Sequence, residues 1–275
     1  MPETDKSMNK SIPQQPQRYP KRPEDLPDWE EKRGSFHAGF ARSKTELDEI
    51  LRLRYEVFNV ECGEAHSASQ TLGIEEDEYD ANCHHIVVRD LRSGDVVGTY
   101  RMLTRELASL GSGFYSNREF HLDQLPEQTL SQGVEVGRAC IAEKNRKGVV
   151  LHLLFRGIAA YMVERQKSFL FGCGSLPSVD RATAQQALQT FKERELLHPE
   201  FHIETMPSYD QAPLLQNPED HQPEQAIPEL FEIYFSLGAR VTSAPAFDLD
   251  FGTTDFLLHF DFASMEPTLL RKYVD

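Results

Sequence analysis

Apolar and polar positions alternate along the chain in two periods, one typical of strands and one of helices. The predicted strands cover residues 35–42, 85–90, 96–104, 134–142, 168–173, 240–247 and 256–262. The predicted helices cover residues 43–60, 149–166, 180–195 and 227–237. Ser43 followed three residues later by Glu46 predicts a capping box at the start of the first helix. This order predicts an α/β fold built on a mixed sheet, with no internal repeat.

The most informative stretch runs from Val134 to Phe155 and predicts a strand, a short basic loop and an apolar helix. Free backbone N–H groups and the positive end of the dipole make a helix start suitable for binding a phosphate. The residues that we expect to hold a phosphorylated carrier here are Lys144, Arg146, Lys147 and Gly148. The alternative is a solvated basic turn.

Glu135 and Arg138 lie three positions apart on the strand before this loop. Regular alternation would send them to opposite faces, whereas a bulge between them, which Gly137 makes plausible, would bring both to one face. Bulges of this kind are frequent beside active sites. The alternative is a structural ion pair, which also shifts pKa values.

The first part of the chain and one internal stretch lack a clear pattern. Residues 1–34 are rich in proline and poor in apolar residues, which predicts a disordered tail with Trp29 anchoring its end, and leaves 35–275 as the folded domain. Residues 199–228 are predicted to be a lid or an insertion. Gly157, inside a predicted helix, suggests that a backbone or an acyl chain approaches closely there.

Composition narrows the function. A formal net charge of −15 in 275 residues argues against nucleic acid as a partner. No apolar run is long enough to span a bilayer and no secretory signal is visible, so we expect a cytoplasmic protein. The four cysteines form no C-x-x-C pair, which predicts reduced thiols and no metal. Asp248, Asp250 and Asp255 could bind a cation, but a charged turn is the preferred interpretation.

With these residues in view, the chain resembles the GNAT-fold ornithine N-acyltransferases, which make lyso-ornithine lipid and are related to acyl-homoserine lactone synthases. The resemblance covers residues 35–275 in order. The matching segments are L-R-L-R-Y-E-V-F (51–58), D-E-Y-D-A-N-C-H-H-I-V-V (77–88), V-G-T-Y-R-M-L-T (97–104), G-F-Y (113–115), E-V-G-R-A-C-I (135–141), L-F-R-G-I-A-A-Y (154–161), L-F-G-C-G-S-L-P-S-V-D (170–180), I-P-E-L-F-E-I-Y-F-S-L-G-A (227–239) and D-F-G-T-T-D-F-L (250–257).

The resemblance implies a GNAT acyltransferase fold with a C-terminal extension and a specific reaction. A fatty acyl group, typically 3-hydroxyacyl, would pass from acyl carrier protein to the α-amino group of ornithine. The acyl-phosphopantetheine would be a co-substrate, with no permanently bound cofactor. A lipid product implies transient membrane contact, so the expected location is the cytoplasm and the inner face of the membrane.

The resemblance also assigns roles. The expected catalytic residues are Glu135, Arg138 and Arg101, and the expected substrate-binding residues are Arg54, Phe58, Asp77 and Asp80. Because an ammonium group cannot attack a thioester, a carboxylate must accept its proton, and Glu135 is the first choice. The two catalytic arginines could bind the acceptor's carboxylate, and bulged N–H groups near Gly137 could stabilise the oxyanion.

Two positions depart from the expected pattern. Loop 142–148 lacks the Q-x-x-G-x-G/A sequence of GNAT enzymes that bind acetyl-CoA, which favours acyl carrier protein as the donor. Position 84 is His where the pattern predicts an acidic residue that could meet the ornithine ammonium. The alternatives are an N-acyltransferase for another amino acid or amine, including acyl-homoserine-lactone synthesis, and a non-catalytic relative that binds acyl carrier protein.

Overall fold

The computed structural model describes residues 19–63, 72–146, 148–211 and 227–274. Its strands are β1 (Glu31–Arg33), β2 (Phe36–Phe40), β3 (His84–Asp90), β4 (Val96–Thr104), β5 (Gly133–Ile141), β6 (Phe169–Leu176), β7 (Arg240–Val241), β8 (Ala246–Asp248) and β9 (Thr253–Asp261). They form one sheet in the order β1-β2-β3-β4-β5-β6-β9-β7, with β8 also paired to β9. Only β5 and β6 are parallel, so the predicted mixed sheet is confirmed.

The α-helices of the described chain are α1 (Lys44–Arg54), α2 (Arg105–Ala108), α3 (Glu127–Ser131), α4 (Val149–Glu164), α5 (Arg181–Glu193), α6 (Glu229–Leu237) and α7 (Pro267–Val274). Ser43 caps α1 by accepting a hydrogen bond from the Glu46 N–H, as predicted. The predicted helix over 43–60 differs in its second half, because Tyr55–Glu61 is a π-helical segment. None of the helices in the described ranges has both the length and the apolar character needed to cross a bilayer.

The two faces of the sheet are covered by different helices. On β3, Val87 packs with the apolar face of α1, whereas its neighbours Ile86 and Val88 pack with α4. This division follows from the alternation of side chains along a strand. The central strands therefore lie between two helical layers and are buried along almost their whole length.

The predicted tail is too long, because residues 19–34 belong to the fold. The Tyr19 hydroxyl lies 2.9 Å from His85 Nδ1, Leu26 is buried in the α4-side core, and β1 pairs with β2. Trp29 packs edge-on against Phe40, which confirms its anchoring role. Composition did not predict this, because a few apolar side chains are enough to attach a segment to the fold when each packs against a core partner. Residues 1–18 lie outside the described residues.

Gly157 does allow a close approach, but not by an acyl chain. A Cβ at this position would lie 2.9 Å from Ile86 Cδ1 and 3.1 Å from the Trp29 ring. The neighbours are therefore core side chains, and the expectation of a backbone or ligand at this point is wrong.

The predicted strand over 240–247 is broken into β7 and β8, both paired with β9. The described part of the predicted lid, residues 199–211, is attached to the body of the protein. Ile203 N–H donates to the Thr242 carbonyl at 2.5 Å, and Met206 N–H donates to the Glu119 carbonyl at 2.7 Å. Residues 212–226 lie outside the described residues, so the lid remains a prediction there.

The feature that positions the site is the divergence of β5 from β6. The two strands pair only over residues 133–135 and 169–171. They are still close at the next position, because a Cβ on Gly172 would lie 2.2 Å from the Val136 carbonyl oxygen. Beyond that point β6 continues along β9, and a cleft opens between the two central strands.

Candidate active site

The cleft contains a chamber of about 230 Å³. Its wall combines charged side chains with aromatic rings. The wall residues used below are Phe58, Arg101, Tyr115, Glu135, Arg138 and Asp255. Gly137 leaves its part of the wall open, since a Cβ there would meet nothing within 4 Å.

Glu135 lies on β5 and is only 5% exposed, with its carboxylate at the chamber wall. Its two oxygens accept hydrogen bonds from the N–H groups of Tyr115 and Ser116, both at 2.7 Å. These N–H groups begin a short 3₁₀ turn, Tyr115–Arg118. Burial raises the pKa of Glu135 above its usual value, and the hydrogen bonds only partly offset this. A carboxylate of raised pKa is suited to accept a proton.

A β-bulge is present on β5, but it lies at Arg138 and Ala139 and not between Glu135 and Arg138 as predicted. On β4, Thr99 pairs with Cys140 and Arg101 pairs with Gly137. Arg138 and Ala139 on β5 therefore lie together opposite the single β4 residue between Thr99 and Arg101. Arg138 has a φ of 51°, which is uncommon for a residue with a side chain. The bulge interrupts alternation, and Arg138 lines the same chamber as Glu135.

Arg138 is half-buried at this wall, with its side chain 13% exposed, and lacks a full set of partners. Its Nε is buried and has no hydrogen-bond partner, and the Glu75 carboxylate is 3.6 Å away. Its guanidinium lies 4.5 Å from the centre of the Phe251 ring and 5.7 Å from that of Phe58. Burial opposes its charge, but Glu75 and Tyr115 outweigh this and raise the pKa of Arg138. A permanently charged, incompletely bonded guanidinium can bind a carboxylate.

Arg101 reaches the chamber from β4 but is already engaged. Its Nη1 lies 2.6 Å from Asp77 and 3.0 Å from Asp80. Asp80 also lies 2.5 Å from Arg54 Nη1, and Glu75 pairs with Arg54. Despite burial, the arginines hold the pKa of Asp80 well below its usual value.

The predicted substrate-binding set is therefore divided. Phe58, on the π-helical segment, lines the chamber; such segments often occur at functional sites. Arg54 and Asp80 are fully buried behind the wall, and Asp77 bonds the backbone of its own turn. These three residues do not line the chamber, and their position suits them to hold Arg101 in place.

Asp248, Asp250 and Asp255 do not all lie in an exposed charged turn, which was the preferred interpretation of the sequence. Asp250 is exposed, but Asp248 and Asp255 are buried. Asp255 lines the chamber and lies close to Glu119, and burial raises the pKa of Asp255 to about 6. Burial and the neighbouring Asp255 also raise the pKa of Glu119 well above its usual value.

A second cavity of about 80 Å³ lies beside the chamber and is lined almost entirely by apolar side chains of α4, β6, β9 and α6. Tyr100 and Tyr234 line both cavities. Their hydroxyls are hydrogen-bonded to each other at 2.5 Å. The tyrosine pair therefore stands between a polar space and an apolar one.

The basic loop is exposed at the start of α4. Lys144, Arg146 and Gly148 are exposed, and Lys147 lies outside the described residues. Gly148 has a φ of 84° and provides no side-chain cap for α4. Arg146 forms an ion pair with Glu61. Lys144, Arg146 and Gly148 do not line the chamber, and the binding of a phosphate at this exposed helix start stays a prediction.

Sequence reasoning missed Glu75, Tyr115, Tyr234 and Asp255 as site residues. Tyr115 and Asp255 did carry a signal, since both fall within segments quoted for the resemblance, G-F-Y and D-F-G-T-T-D-F-L. An acidic residue inside an otherwise apolar strand, as at Asp255, is costly unless something binds it. That cost would have been a reason to select it.

Comparisons with known proteins find a matching family and similar solved structures. Residues 53–156 match the family described as acetyltransferase (GNAT) domain. Among solved structures, the chain is similar to FeeM, an N-acyl amino acid synthase from uncultured soil microbes, with a TM-score of 0.49, 10% identity and coverage of 84% of this chain and 94% of that one. It is also similar to the AHL synthase LasI, with a TM-score of 0.44, 16% identity and coverage of 88% and 98%.

Two characterised relatives are closer in sequence. The L-ornithine N(alpha)-acyltransferase of Rhizobium meliloti (strain 1021) is 32% identical over 244 residues, which cover 85% of this chain and 82% of the relative. The enzyme of the same name from Agrobacterium fabrum (strain C58) is 30% identical over 251 residues, covering 87% and 85%. The predicted GNAT fold is confirmed, and the protein is an acyltransferase that belongs to the L-ornithine N(alpha)-acyltransferase family.

Proposed function

We propose that this protein transfers a fatty acyl group, typically 3-hydroxyacyl, from acyl carrier protein to the α-amino group of ornithine, giving lyso-ornithine lipid. One observation carries the proposal: Glu135 and the incompletely bonded Arg138 line the same chamber, where β5 and β6 diverge. The names of the relatives support ornithine as the acceptor.

The roles follow from the chemistry of the groups. Glu135 accepts the proton of the α-ammonium, directly or through a water molecule, so that the free amine can attack the thioester carbonyl. Arg138 binds the α-carboxylate of the amino acid through its guanidinium. Arg101, fixed by Asp77 and Asp80, supplies positive charge nearby. N–H groups of the bulge stabilise the oxyanion, and the carrier's thiolate leaves with a proton.

The donor enters along β5. The carrier's phosphate binds at the start of α4, where Gly148 leaves the helix uncapped and Lys144 and Arg146 add positive charge. The acidic surface of the carrier meets the same loop. The acyl chain passes the tyrosine pair into the apolar cavity. Because the product is a lipid, we expect the enzyme to work in the cytoplasm and to release product at the inner face of the membrane.

The test is direct. The pure protein is incubated with 3-hydroxyacyl carrier protein and a panel of amino acids and amines, including homoserine lactone precursors, and products are identified by mass. The proposal predicts an acyl amide on the α-nitrogen of ornithine. An amide formed with a different acceptor would replace ornithine as the proposed substrate. If no acceptor gave an amide, the remaining candidate would be a non-catalytic protein that binds acyl carrier protein.

A further inference from the structure

Glu119, Asp248 and Asp255 form a buried acidic group at one side of the chamber. Their exposed fractions are 1%, 2% and 4%. Each has one buried side-chain oxygen without a hydrogen-bond partner, namely Glu119 Oε1, Asp248 Oδ2 and Asp255 Oδ1. Unbonded carboxylate oxygens at this depth are costly unless a donor arrives from elsewhere.

No Lys, Arg or His of the described residues forms an ion pair with any of these three carboxyl groups. The N–H groups of Asp250 and Phe251 donate to Asp248 Oδ1, whereas Asp255 Oδ1 and Glu119 Oε1 have no hydrogen-bond partner. Asp255 lines the chamber and Glu119 lies directly behind it. Asp255 therefore places a carboxyl group without a basic partner at the chamber wall.

The position of this acidic group suits the side-chain end of a diamino acid bound in the chamber. Glu135 and Glu119 flank the same 3₁₀ turn: Ser116 N–H donates to Glu135, and Ser116 Oγ lies 3.4 Å from Cys173 Sγ, which is 3.7 Å from Glu119. Glu135, the proton acceptor, and the acidic group therefore lie on either side of this short turn. An acceptor bound to Arg138 by its carboxylate and to Glu135 by its α-nitrogen would have only its side chain left to direct toward Asp255.

We infer that Asp255, backed by Glu119 and Asp248, binds the side-chain ammonium of the acceptor and selects a cationic diamino acid over neutral amino acids. This rests on the proposed function for the identity of the acceptor. The inference also supplies the carboxylate that the resemblance led us to expect at position 84. His84 is buried and bonds Tyr161 and the Lys21 carbonyl, away from the chamber, and Asp255 provides the carboxylate instead.

The test compares L-ornithine with L-norvaline, which has the same carbon chain without the ammonium group. Asp255→Asn keeps the shape and removes the charge, and exposed Asp250→Asn is the matched control. An ionic hydrogen bond contributes about 1.5–3 kcal/mol, so Asp255→Asn should lower the ornithine-to-norvaline ratio of kcat/KM by about 10- to 100-fold. The loss should fall on KM for ornithine, with a much smaller change in kcat/KM for norvaline and the Asp250→Asn control close to wild type. An unchanged ratio in folded Asp255→Asn overturns the inference.

Calorimetric binding of the two amino acids makes the result independent of turnover. Wild-type protein should bind ornithine more tightly than norvaline, and Asp255→Asn and Glu119→Gln should lose that preference. Tighter binding of ornithine than of norvaline without acyl-amide formation would reject the proposed function alone. Acyl-amide formation without that binding preference would reject this inference alone. Glu119, Cys173 and Asp255 are also spaced to hold a metal ion. If a chelator abolishes the preference and a divalent metal restores it, the group is a metal site and the inference is wrong.

Discussion

Glu135 and Asp255 share a physical situation with different consequences. Both are buried at the chamber wall, and burial raises the pKa of each. Glu135 is held by two backbone N–H groups, whereas Asp255 Oδ1 has no partner. The first is therefore a fixed carboxylate suited to proton transfer, and the second is a carboxylate that a bound cation would stabilise.

Asp255 should make stability depend on pH. Its folded pKa, about 6, lies above the ordinary value of 3.8, so between these values the folded state binds more protons than the unfolded state. Its contribution to stability is complete below pH 3.8 and is lost as pH rises through about 6. Urea unfolding without ligand should show a larger loss of stability over this pH range in the wild type than in Asp255→Asn. A parallel pH dependence in both proteins would contradict the shifted pKa.

Activity should depend on pH with the opposite sign. Glu135 must be ionised to accept a proton, and burial raises its pKa above 4.5. We expect kcat/KM to fall as pH decreases through a value above the ordinary range of a glutamate. The pH–rate profile measures this. In Glu135→Gln the acid limb should disappear together with most of the activity, and a limb of unchanged position would assign the titration to another group.

At the scale of elements, the divergence of β5 and β6 and the bulge on β5 create the chamber. A bulge on β5 was predicted from the spacing of Glu135 and Arg138 and the neighbouring glycine, but it lies at Arg138 and Ala139. The roles of individual glycines were harder to predict, because a glycine can mark either an open wall or a close strand contact. Gly137 is the first kind, and Gly172 is the second.

This contrast gives a paired prediction. Gly137→Val should fold with nearly wild-type stability, because its side chain enters open space, but should impair acyl transfer by filling the chamber. Gly172→Ala should lower the free energy of unfolding by about 1–3 kcal/mol, because its Cβ would overlap the Val136 carbonyl. Thermal unfolding and steady-state kinetics on both variants separate the two effects. Destabilisation by Gly137→Val comparable to that of Gly172→Ala would contradict the description of the cleft.

The element pattern was well predicted where periodicity is strong and poorly where contacts across the chain decide the outcome. The hairpin of β3 and β4 and the central helix α4 follow from local patterns. The ordering of residues 19–34 depends on contacts of Tyr19 with His85 and of Trp29 with Gly157 of α4, which composition does not reveal. The pairing of Glu75 with Arg54 likewise joins residues that local patterns cannot connect.

At the scale of the whole molecule, a net charge of −15 must be reconciled with an acidic carrier protein. Charges separated by more than about 8 Å are largely screened at physiological salt, so the local sign of the docking surface matters more than the total. The exposed Lys144 and Arg146 at the start of α4 provide a basic region of this kind.

Reversing that region should weaken the donor specifically. Replacing Lys144, Arg146 and Lys147 with Glu should raise KM for the acyl carrier protein by about 10- to 100-fold at low salt, with KM for ornithine unchanged. Reversal of three exposed basic residues elsewhere, Lys32, Arg52 and Lys192, is the matched control. Equal effects of the two triple variants would mean that overall charge, and not the loop, governs carrier binding.

The most direct test of the account is acyl-amide formation by wild-type protein and Glu135→Gln, with 3-hydroxyacyl carrier protein and ornithine in excess. Exposed Glu127→Gln is the control for the substitution. The account predicts that the amide forms on the α-nitrogen and that Glu135→Gln lowers kcat by about 10²- to 10⁴-fold while the protein stays folded. Undiminished turnover in Glu135→Gln would contradict the central role of this carboxylate.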